Sequence, residues 1–178
     1  FICHKPRTGC SPTIFSSPHS GRQYSKMFLS QSALSFGKIR LSEDFYVDSL
    51  LEPVCDFGSV LLVACFPRSF VDVNRSPTEL DPKLISNLDK PSINPITSAG
   101  LGVIPRIVGN GLEIYGTKIS FSEVVSRLNN YYFPYHQKLK QLIDNTIDSF
   151  GFATLFDFHS MPHGCINQFS GKKSLTPE

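Results

Sequence analysis

Two histidines lie where this sequence could most readily carry out chemistry. His19 follows the apolar stretch Thr13–Ser17, His159 follows a mostly apolar run from Phe152 to Phe158, and each histidine precedes a serine. Short apolar, β-branched and aromatic runs bounded by glycine or proline are typical of buried strands in a mostly parallel sheet. Ligands bind at the carboxyl ends of such strands. The sequence therefore predicts one site built from two distant segments.

Two histidines and one acidic residue would form a zinc site of the hydrolase type. Such a site has three protein ligands and keeps its fourth position for water. A nearby arginine can stabilise the oxyanion that develops during hydrolysis. The alternative is that both histidines are hydrogen-bonded core residues. A serine nucleophile at Ser20 or Ser160 is the weaker interpretation, because neither serine lies in a G-x-S-x-G turn.

A dense group of polar side chains follows the strongest predicted strand, Val60–Phe66. Arg68, Asn74 and Arg75 could grip a planar carboxylate, because arginine binds carboxylates through two parallel hydrogen bonds. An internal salt bridge between Asp72 and an arginine on a surface turn explains the same residues equally well. Arg106 and Tyr115, farther along, are further candidates to point into a site, and the alternative for each is a purely structural role.

The sequence also predicts the secondary structure around these residues. Residues 1–12 are expected to be irregular and residues 23–40 to form short helical turns. Ser42 would cap a helix to Leu51, so that Glu43 and Asp44 are first interpreted as partners of the helix dipole.

The second half of the chain predicts a hairpin and then a long helix. Residues 112–119 predict a hairpin around Gly116. Ser120 and Glu123 form a capping-box pattern that opens a helix to about Phe150. That helix should kink near Pro134 and stop at Gly151.

Composition excludes several classes of function. The 178 residues are 40% hydrophobic and carry a net charge of +2, which predicts one globular domain without nucleic-acid or membrane partners. Five irregularly spaced cysteines do not form a disulfide framework and predict a cytoplasmic setting. Cys10 and Cys165 are the alternative candidates for a thiolate ligand or a nucleophile.

Seven short motifs in order resemble the N-formylglutamate amidohydrolase family. They are SPHSGR at 17–22, SEDFYVD at 42–48, FPRSFVDVNR at 66–75, ELDP at 79–82, GLGVIPR at 100–106, YFPYH at 132–136 and HSMP at 159–162. The resemblance implies a zinc-carboxypeptidase-like α/β fold, with a mixed, mostly parallel sheet and helices on both faces. It also implies metal-dependent hydrolysis of a small N-acyl amino acid, with N-formylglutamate giving formate and glutamate in histidine degradation.

The resemblance also implies roles for individual residues. His19 and His159 become ligands of Zn²⁺ or another divalent transition metal. The carboxypeptidase-like relatives place an acid three residues after the first histidine, where this chain has Arg22, so Asp44 is the preferred third ligand, followed by Glu43 and Asp48. The remaining roles are Arg68 near the scissile carbonyl, Asn74 and Arg75 on a substrate carboxylate, and Arg106 and Tyr115 on the second carboxylate of glutamate.

The chain departs from the family pattern after Pro162. We expect residues 1–162 to form a partial amidohydrolase-like domain, incomplete at its C-terminus, and residues 163–178 to be a flexible tail unlike the family. The late acidic residue expected as general base has no counterpart here. The alternatives are a catalytically impaired remnant that binds a metal or a small carboxylate, and a related metallo-hydrolase acting on another acyl-amino acid or a peptide.

Overall fold

The computed structural model describes residues 1–88 and 94–161 of the chain. Its strands are β1 (Ile2–His4), β2 (Thr13–Ser17), β3 (Val60–Val63), β4 (Ile85–Ser86), β5 (Ile107–Val108), β6 (Leu112–Glu113), β7 (Ile119–Ser120) and β8 (Thr154–Asp157). Its helices are α1 (Lys26–Gln31), α2 (Phe36–Ile39), α3 (Val47–Leu51), α4 (Pro95–Ser98), α5 (Phe121–Arg127) and α6 (Phe133–Phe150), with 3₁₀ turns at Arg40–Ser42, Glu52–Phe57 and Gly109–Gly111.

The main sheet has four strands in the order β1-β3-β2-β8. β2 is parallel to both β3 and β8, whereas β1 is antiparallel to β3. The predicted mixed, mostly parallel α/β sheet is therefore confirmed, and so is the first predicted strand, Thr13–Ser17. The predicted irregular lead-in was wrong in part, because Ile2–His4 adds a strand at one edge.

Helices cover both faces of this sheet. Successive side chains of β3 point to opposite faces, and they enter two separate apolar clusters. Leu62 packs into the larger cluster, which contains residues of α1, α5 and α6. Leu61 and Val63 pack into the smaller one with Val47 and Leu51 of α3. The sheet is thus the middle layer of a three-layer arrangement, as predicted.

Strand β8 differs from its prediction as a buried strand. It pairs in register with β2, but all four of its residues are exposed. Leu155 is 41% exposed and Phe156 is 42% exposed. In the part of the chain that the structure describes, β8 is the outer strand of the sheet, and an apolar sequence does not reveal which side of a strand lacks a neighbour.

The helix predicted from Ser42 begins later, at Val47. The backbone N–H of Asp44 donates to the carbonyl of His19 at 3.0 Å, which is a tertiary bond in place of a helical one. Tyr46 then adopts a left-handed conformation, with φ of 61°. The interpretation of Glu43 and Asp44 as partners of the helix dipole was therefore wrong.

The long helical region follows its prediction closely. The Ser120 hydroxyl accepts the N–H of Glu123, and Gly151 ends α6 with φ of 80°. The break near Pro134 is a π-helical turn over Leu128–Tyr132, directly before α6. Proline provides no N–H for the preceding turn, and the wider turn accommodates that loss without ending the helix.

The predicted hairpin around Gly116 was wrong. The hairpin lies earlier, where β5 pairs antiparallel with β6 across Gly109–Gly111. Asn110 takes φ of 61° there, a conformation that asparagine tolerates better than most residues. Ile119 instead pairs in parallel with Ile85.

Three further predictions concern the C-terminal tail, the cysteines and membrane spans. The predicted tail at residues 163–178 and Cys165 lie outside the described residues. Cys3, Cys10, Cys55 and Cys65 are free thiols. In residues 1–88 and 94–161, no helix has the length and apolar character that a membrane span requires.

We predict that Gly21→Ala destabilises the fold and displaces the turn after His19. A Cβ at this position would lie 2.1 Å from the backbone oxygen of Phe66. Overpacking against backbone costs about 1–3 kcal/mol or more, which thermal or urea unfolding measures. The matched control is Gly37→Ala in α2, where no heavy atom lies within 4 Å of the added Cβ. Equal stability of the two variants would contradict the prediction.

Candidate metal centre

The end of β2 and the segment before α3 place His19 beside Asp44. Besides the backbone bond between them, Asp44 is fixed through its neighbour Glu43. The Glu43 carboxylate accepts two hydrogen bonds from Arg40, at 2.9 and 3.0 Å, and one from the Tyr24 hydroxyl at 2.6 Å. This buried network holds an irregular segment in place and directs the next side chain, Asp44, toward His19.

Parallel pairing of β8 with β2 brings the second histidine to the same place. Ser16 is the partner of Asp157, and the N–H of Phe158 donates to the Ser16 carbonyl at 2.9 Å. His159 therefore leaves the sheet next to His19, and the centroids of the two rings are 4.7 Å apart. The predicted convergence of two distant histidines on one site occurs in the structure.

His19, Asp44 and His159 form one compact cluster. Each offers a ligand atom within 4.8 Å of those of the other two. The Oδ2 atom of Asp44 lies 3.1 Å from His159 Nδ1 and 3.7 Å from His19 Nδ1. His19 is 2% exposed, and its Nδ1 has no hydrogen-bond partner among the described residues. A buried ring nitrogen without a partner is costly, and a divalent cation bound between these side chains would satisfy it.

Asp72 fixes the other ring nitrogen of His19. Its Oδ1 atom is 2.8 Å from His19 Nε2 and also accepts the N–H of Asn74 at 2.9 Å, while Oδ2 accepts Nε of Arg68 at 2.9 Å. A carboxylate behind a histidine sets the tautomer and orientation of a metal ligand. The sequence predicted Asp72 only as a salt-bridge partner of an arginine, and this contact with His19 was missed.

The acidic groups of the site are held in their ionised forms. Burial alone would raise the pKa of Asp44, but the hydrogen bond from His159 and the nearby ring of His19 hold it well below its usual range. Burial would likewise raise the pKa of Asp72, but His19, Arg68 and the N–H of Asn74 lower it to about 2. Ionised carboxylates are the form that ligates a cation.

His159 has acidic partners on both ring nitrogens. Its Nε2 lies 3.0 Å from Oδ2 of Asp157, and Asp157 and Asp44 together raise the pKa of His159 to about 9. Asp157 was not a predicted site residue. Its position two residues before His159 was the available signal, because strand periodicity places residues i and i+2 on one face.

The three acids considered for the third ligand have different partners in the structure. Asp44 is the member of the cluster. Glu43 is committed to Arg40 and Tyr24, and Asp48 pairs with Arg22 at 2.5 Å.

The predicted carboxylate-binding residues lie around the cluster. Arg68 is bonded to Asp72, as described above, and Nε of Arg75 lies 4.0 Å from the same carboxylate. Nδ2 of Asn74 is 3.2 Å from His159 Nε2. The alternative of an Asp72–arginine salt bridge is thus realised, although Asp72 is 1% exposed and not on a surface turn.

Two residues of the long helical region contact backbone carbonyls of the segment that contains Asn74 and Arg75. The Tyr132 hydroxyl donates to the carbonyl of Arg75 at 2.8 Å, and His136 Nε2 lies 2.8 Å from the carbonyl of Val73. One lies at the end of the π-helical turn and the other one helical turn later. Both residues belong to the YFPYH motif at 132–136. The sequence alone did not reveal that this motif supports the site.

Arg106 and Tyr115 lie elsewhere. Arg106 bonds to Asp81 and Glu113, each at 2.8 Å. Tyr115 is 7% exposed, and its hydroxyl accepts a hydrogen bond from the buried Arg127 at 2.7 Å. The structure does not bring these two residues to the cluster.

A cavity of about 650 Å³ opens beside the cluster. Asp44, Arg68 and Asp72 line its inner end, and the β5–β6 hairpin together with Ser160 and Met161 lines its sides. Two histidines at the carboxyl ends of parallel strands, with an aspartate beside them and a cavity next to all three, define an α/β protein with a candidate divalent-metal centre.

Comparison with known proteins identifies the family. Residues 11–176 match the sequence model described as N-formylglutamate amidohydrolase. The chain therefore belongs to the N-formylglutamate amidohydrolase family. This match continues beyond Pro162, where the sequence predicted the family-like domain to end.

Individual relatives agree with this assignment. The chain is 26% identical to an N-formylglutamate deformylase of Pseudomonas putida, over 92% of this chain and 57% of the relative. It is 24% identical to that of Pseudomonas aeruginosa, over 93% of this chain and 58% of the relative. The crystal structure of N-formylglutamate amidohydrolase from Ralstonia eutropha JMP134 has 31% identity and a TM-score of 0.88, covering 99% of this chain and 63% of that one. The chain thus spans little more than half the length of these deformylases.

We predict that Asp72→Asn weakens zinc binding about 10- to 100-fold, the range usual for loss of a group that orients a metal ligand. Competition with a chromophoric chelator at pH 7 measures the affinity. Asp144→Asn is the matched control, because Asp144 is an exposed residue that pairs with Lys140. Unchanged zinc affinity in folded Asp72→Asn would refute this role.

We predict that Tyr132→Phe weakens glutamate binding and leaves zinc binding unchanged. The variant loses one hydrogen bond to the backbone of Arg75, which corresponds to roughly a three- to tenfold loss of affinity. Titration calorimetry with glutamate measures it. Tyr131→Phe, at the neighbouring and more exposed tyrosine, is the control. Equal glutamate affinity in all three proteins would argue against support from Tyr132.

Proposed function

We propose that this protein is a metal-dependent amidohydrolase that cleaves N-formylglutamate to formate and glutamate. The observation that carries the proposal is the cluster of His19, Asp44 and His159, in which a buried nitrogen of His19 lacks a partner among the described residues. The names of the three relatives support the choice of substrate.

The cluster suits Zn²⁺ or another divalent transition metal in its ligand chemistry. Imidazole nitrogens and one carboxylate are the donor types of catalytic zinc sites that use three protein ligands. When bound there, the metal would activate a water molecule and polarise the scissile carbonyl. Asp72 would keep Nε2 of His19 engaged, so that Nδ1 stays directed to the cluster.

The surrounding polar residues fit the two ends of the amide substrate. Asn74 and Arg75 follow the buried Asp72, and Tyr132 and His136 hold their backbone, so this pair is preorganised for the substrate carboxylate. Arg68 bonds to Asp72 and lines the cavity, where its guanidinium can stabilise negative charge developing on the carbonyl oxygen. Arg106 is not needed for this assignment.

We predict that the protein loaded with Zn²⁺ releases formate and glutamate from N-formylglutamate, and that a chelator removes this activity. Asp44→Asn should lower kcat/KM at least about 100-fold, because one ligand of the polarising cation is lost. Asp48→Asn, at the carboxylate paired with Arg22, is the control and should retain most of the activity.

The outcomes of this experiment separate the candidate functions. Folded protein that takes up no metal and shows no turnover would overturn the proposal. Thermal stabilisation by glutamate and zinc without turnover would instead identify a binding protein.

A further inference from the structure

The cavity beside the cluster is larger and more apolar than a formyl group requires. Its volume of about 650 Å³ lies within the range of pockets that enclose whole small molecules, about 300–1,000 Å³. A formyl group adds only one hydrogen to the carbonyl carbon. The walls carry apolar side chains from three separate segments, namely Leu41, Phe45, Leu101, Ile107, Val108 and Met161.

Several of these side chains are exposed to solvent although they are large and apolar. Leu41 is 49% exposed, Phe45 is 46% exposed and Met161 is 62% exposed. Exposed apolar groups that share one concave surface are typical of ligand-binding grooves. This surface is continuous with Asp44 and Arg68, so a group bound there would reach the reacting centre.

The residues assigned to the substrate carboxylate and the residues that line the cavity are different sets, with Arg68 adjoining both. Asn74 and Arg75, which we assign to the substrate carboxylate, are not among the described residues that line the cavity, whereas Arg68 is. Asn74 instead contacts His159. An amide bound with its amino-acid part at Asn74 and Arg75 and its carbonyl near Arg68 would have its acyl group next to the cavity.

Charge also favours an uncharged group in the cavity. Of the side chains described along its lining, Arg68 is the one cation, and it is already bonded to Asp72. Glu43, Asp44 and Asp72 are the acids of the same lining. These acids disfavour a further carboxylate in this space, whereas an alkyl chain or an aromatic ring would bury apolar surface against the apolar walls.

We propose that the cavity is an acyl subsite and that the protein also hydrolyses N-acylglutamates whose acyl group is a medium-length alkyl chain or an aromatic ring. This inference rests on the proposed function of the same centre. The bond changes are those of amide hydrolysis. The oxygen of water bonds to the acyl carbon, the carbon–nitrogen bond breaks, and the glutamate nitrogen receives a proton, so the products are a carboxylic acid and glutamate.

The test compares kcat/KM for N-formyl-, N-acetyl-, N-octanoyl- and N-benzoylglutamate with the zinc-loaded full chain. We expect the octanoyl and benzoyl substrates to reach at least the kcat/KM of N-formylglutamate, and N-acetylglutamate to fall below them. Turnover of N-formylglutamate with at least 100-fold lower values for both larger substrates would overturn the acyl subsite and leave the proposed function intact. Absence of turnover with every substrate would overturn both.

A pair of matched variants locates the acyl group. Leu41→Asp introduces a charge at the wall of the cavity and should lower the ratio of octanoyl to formyl kcat/KM about tenfold or more. Leu50→Asp makes the same change at a leucine that is 78% exposed and does not line the cavity. It should leave the ratio within about twofold of the unmodified chain. Equal ratios in both variants would place the acyl group elsewhere and refute the proposal.

Binding to metal-free protein provides a readout that does not depend on turnover. Titration calorimetry in chelator should show N-octanoylglutamate binding at least about tenfold more tightly than N-formylglutamate. Its heat-capacity change should also be more negative, because apolar surface is buried on binding. Equal affinities and equal heat-capacity changes for the two ligands would contradict the subsite.

Discussion

The arrangement of the site depends on one buried carboxylate. Asp72 is 1% exposed, and its two oxygens accept hydrogen bonds from Arg68 and the backbone of Asn74 and contact His19. Burying a charge without partners is prohibitively costly, so these contacts are a condition of the fold itself. They also join the segment after β3 to the end of β2. The same interactions that stabilise Asp72 thereby orient a candidate metal ligand and the arginine next to the cavity.

The sequence predicted those parts of the fold that local chemistry determines. The β-branched run at Thr13–Ser17 and the cap at Ser120 gave the observed elements, and Gly151 ended its helix as expected. The convergence of His19 and His159 was also predictable, because the carboxyl ends of parallel strands share one edge of a sheet. Asp44, the acid preferred as third ligand, lies with His19 and His159 in the cluster, although the helix predicted from Ser42 begins only at Val47.

Features that rest on tertiary contacts could not be predicted in this way. The Ser42–Leu51 pattern favours a helix locally, yet the bond from Asp44 to the His19 carbonyl overrides it. The apolar run after Gly151 predicted burial, but exposure depends on whether another element lies against the strand. The partner of a polar residue is equally invisible in sequence. Arg106 and Tyr115 have the chemistry of substrate ligands, and their bonds to Asp81 and Arg127 appear only in three dimensions.

The pairing of β8 with β2 has a consequence for the order of folding. Thr13 pairs with Thr154, so His159 reaches the site through a contact between segments that lie far apart in the sequence. Contacts between residues so distant in sequence form slowly, because the entropy of closing the loop is lost before the contact is gained. Within the described residues β8 is an outer, solvent-exposed strand, and such strands are among the first elements to open in local unfolding. His159 is therefore expected to be the last of the three cluster residues to arrive and the first to leave, whereas His19 and Asp44 stay together through their backbone bond.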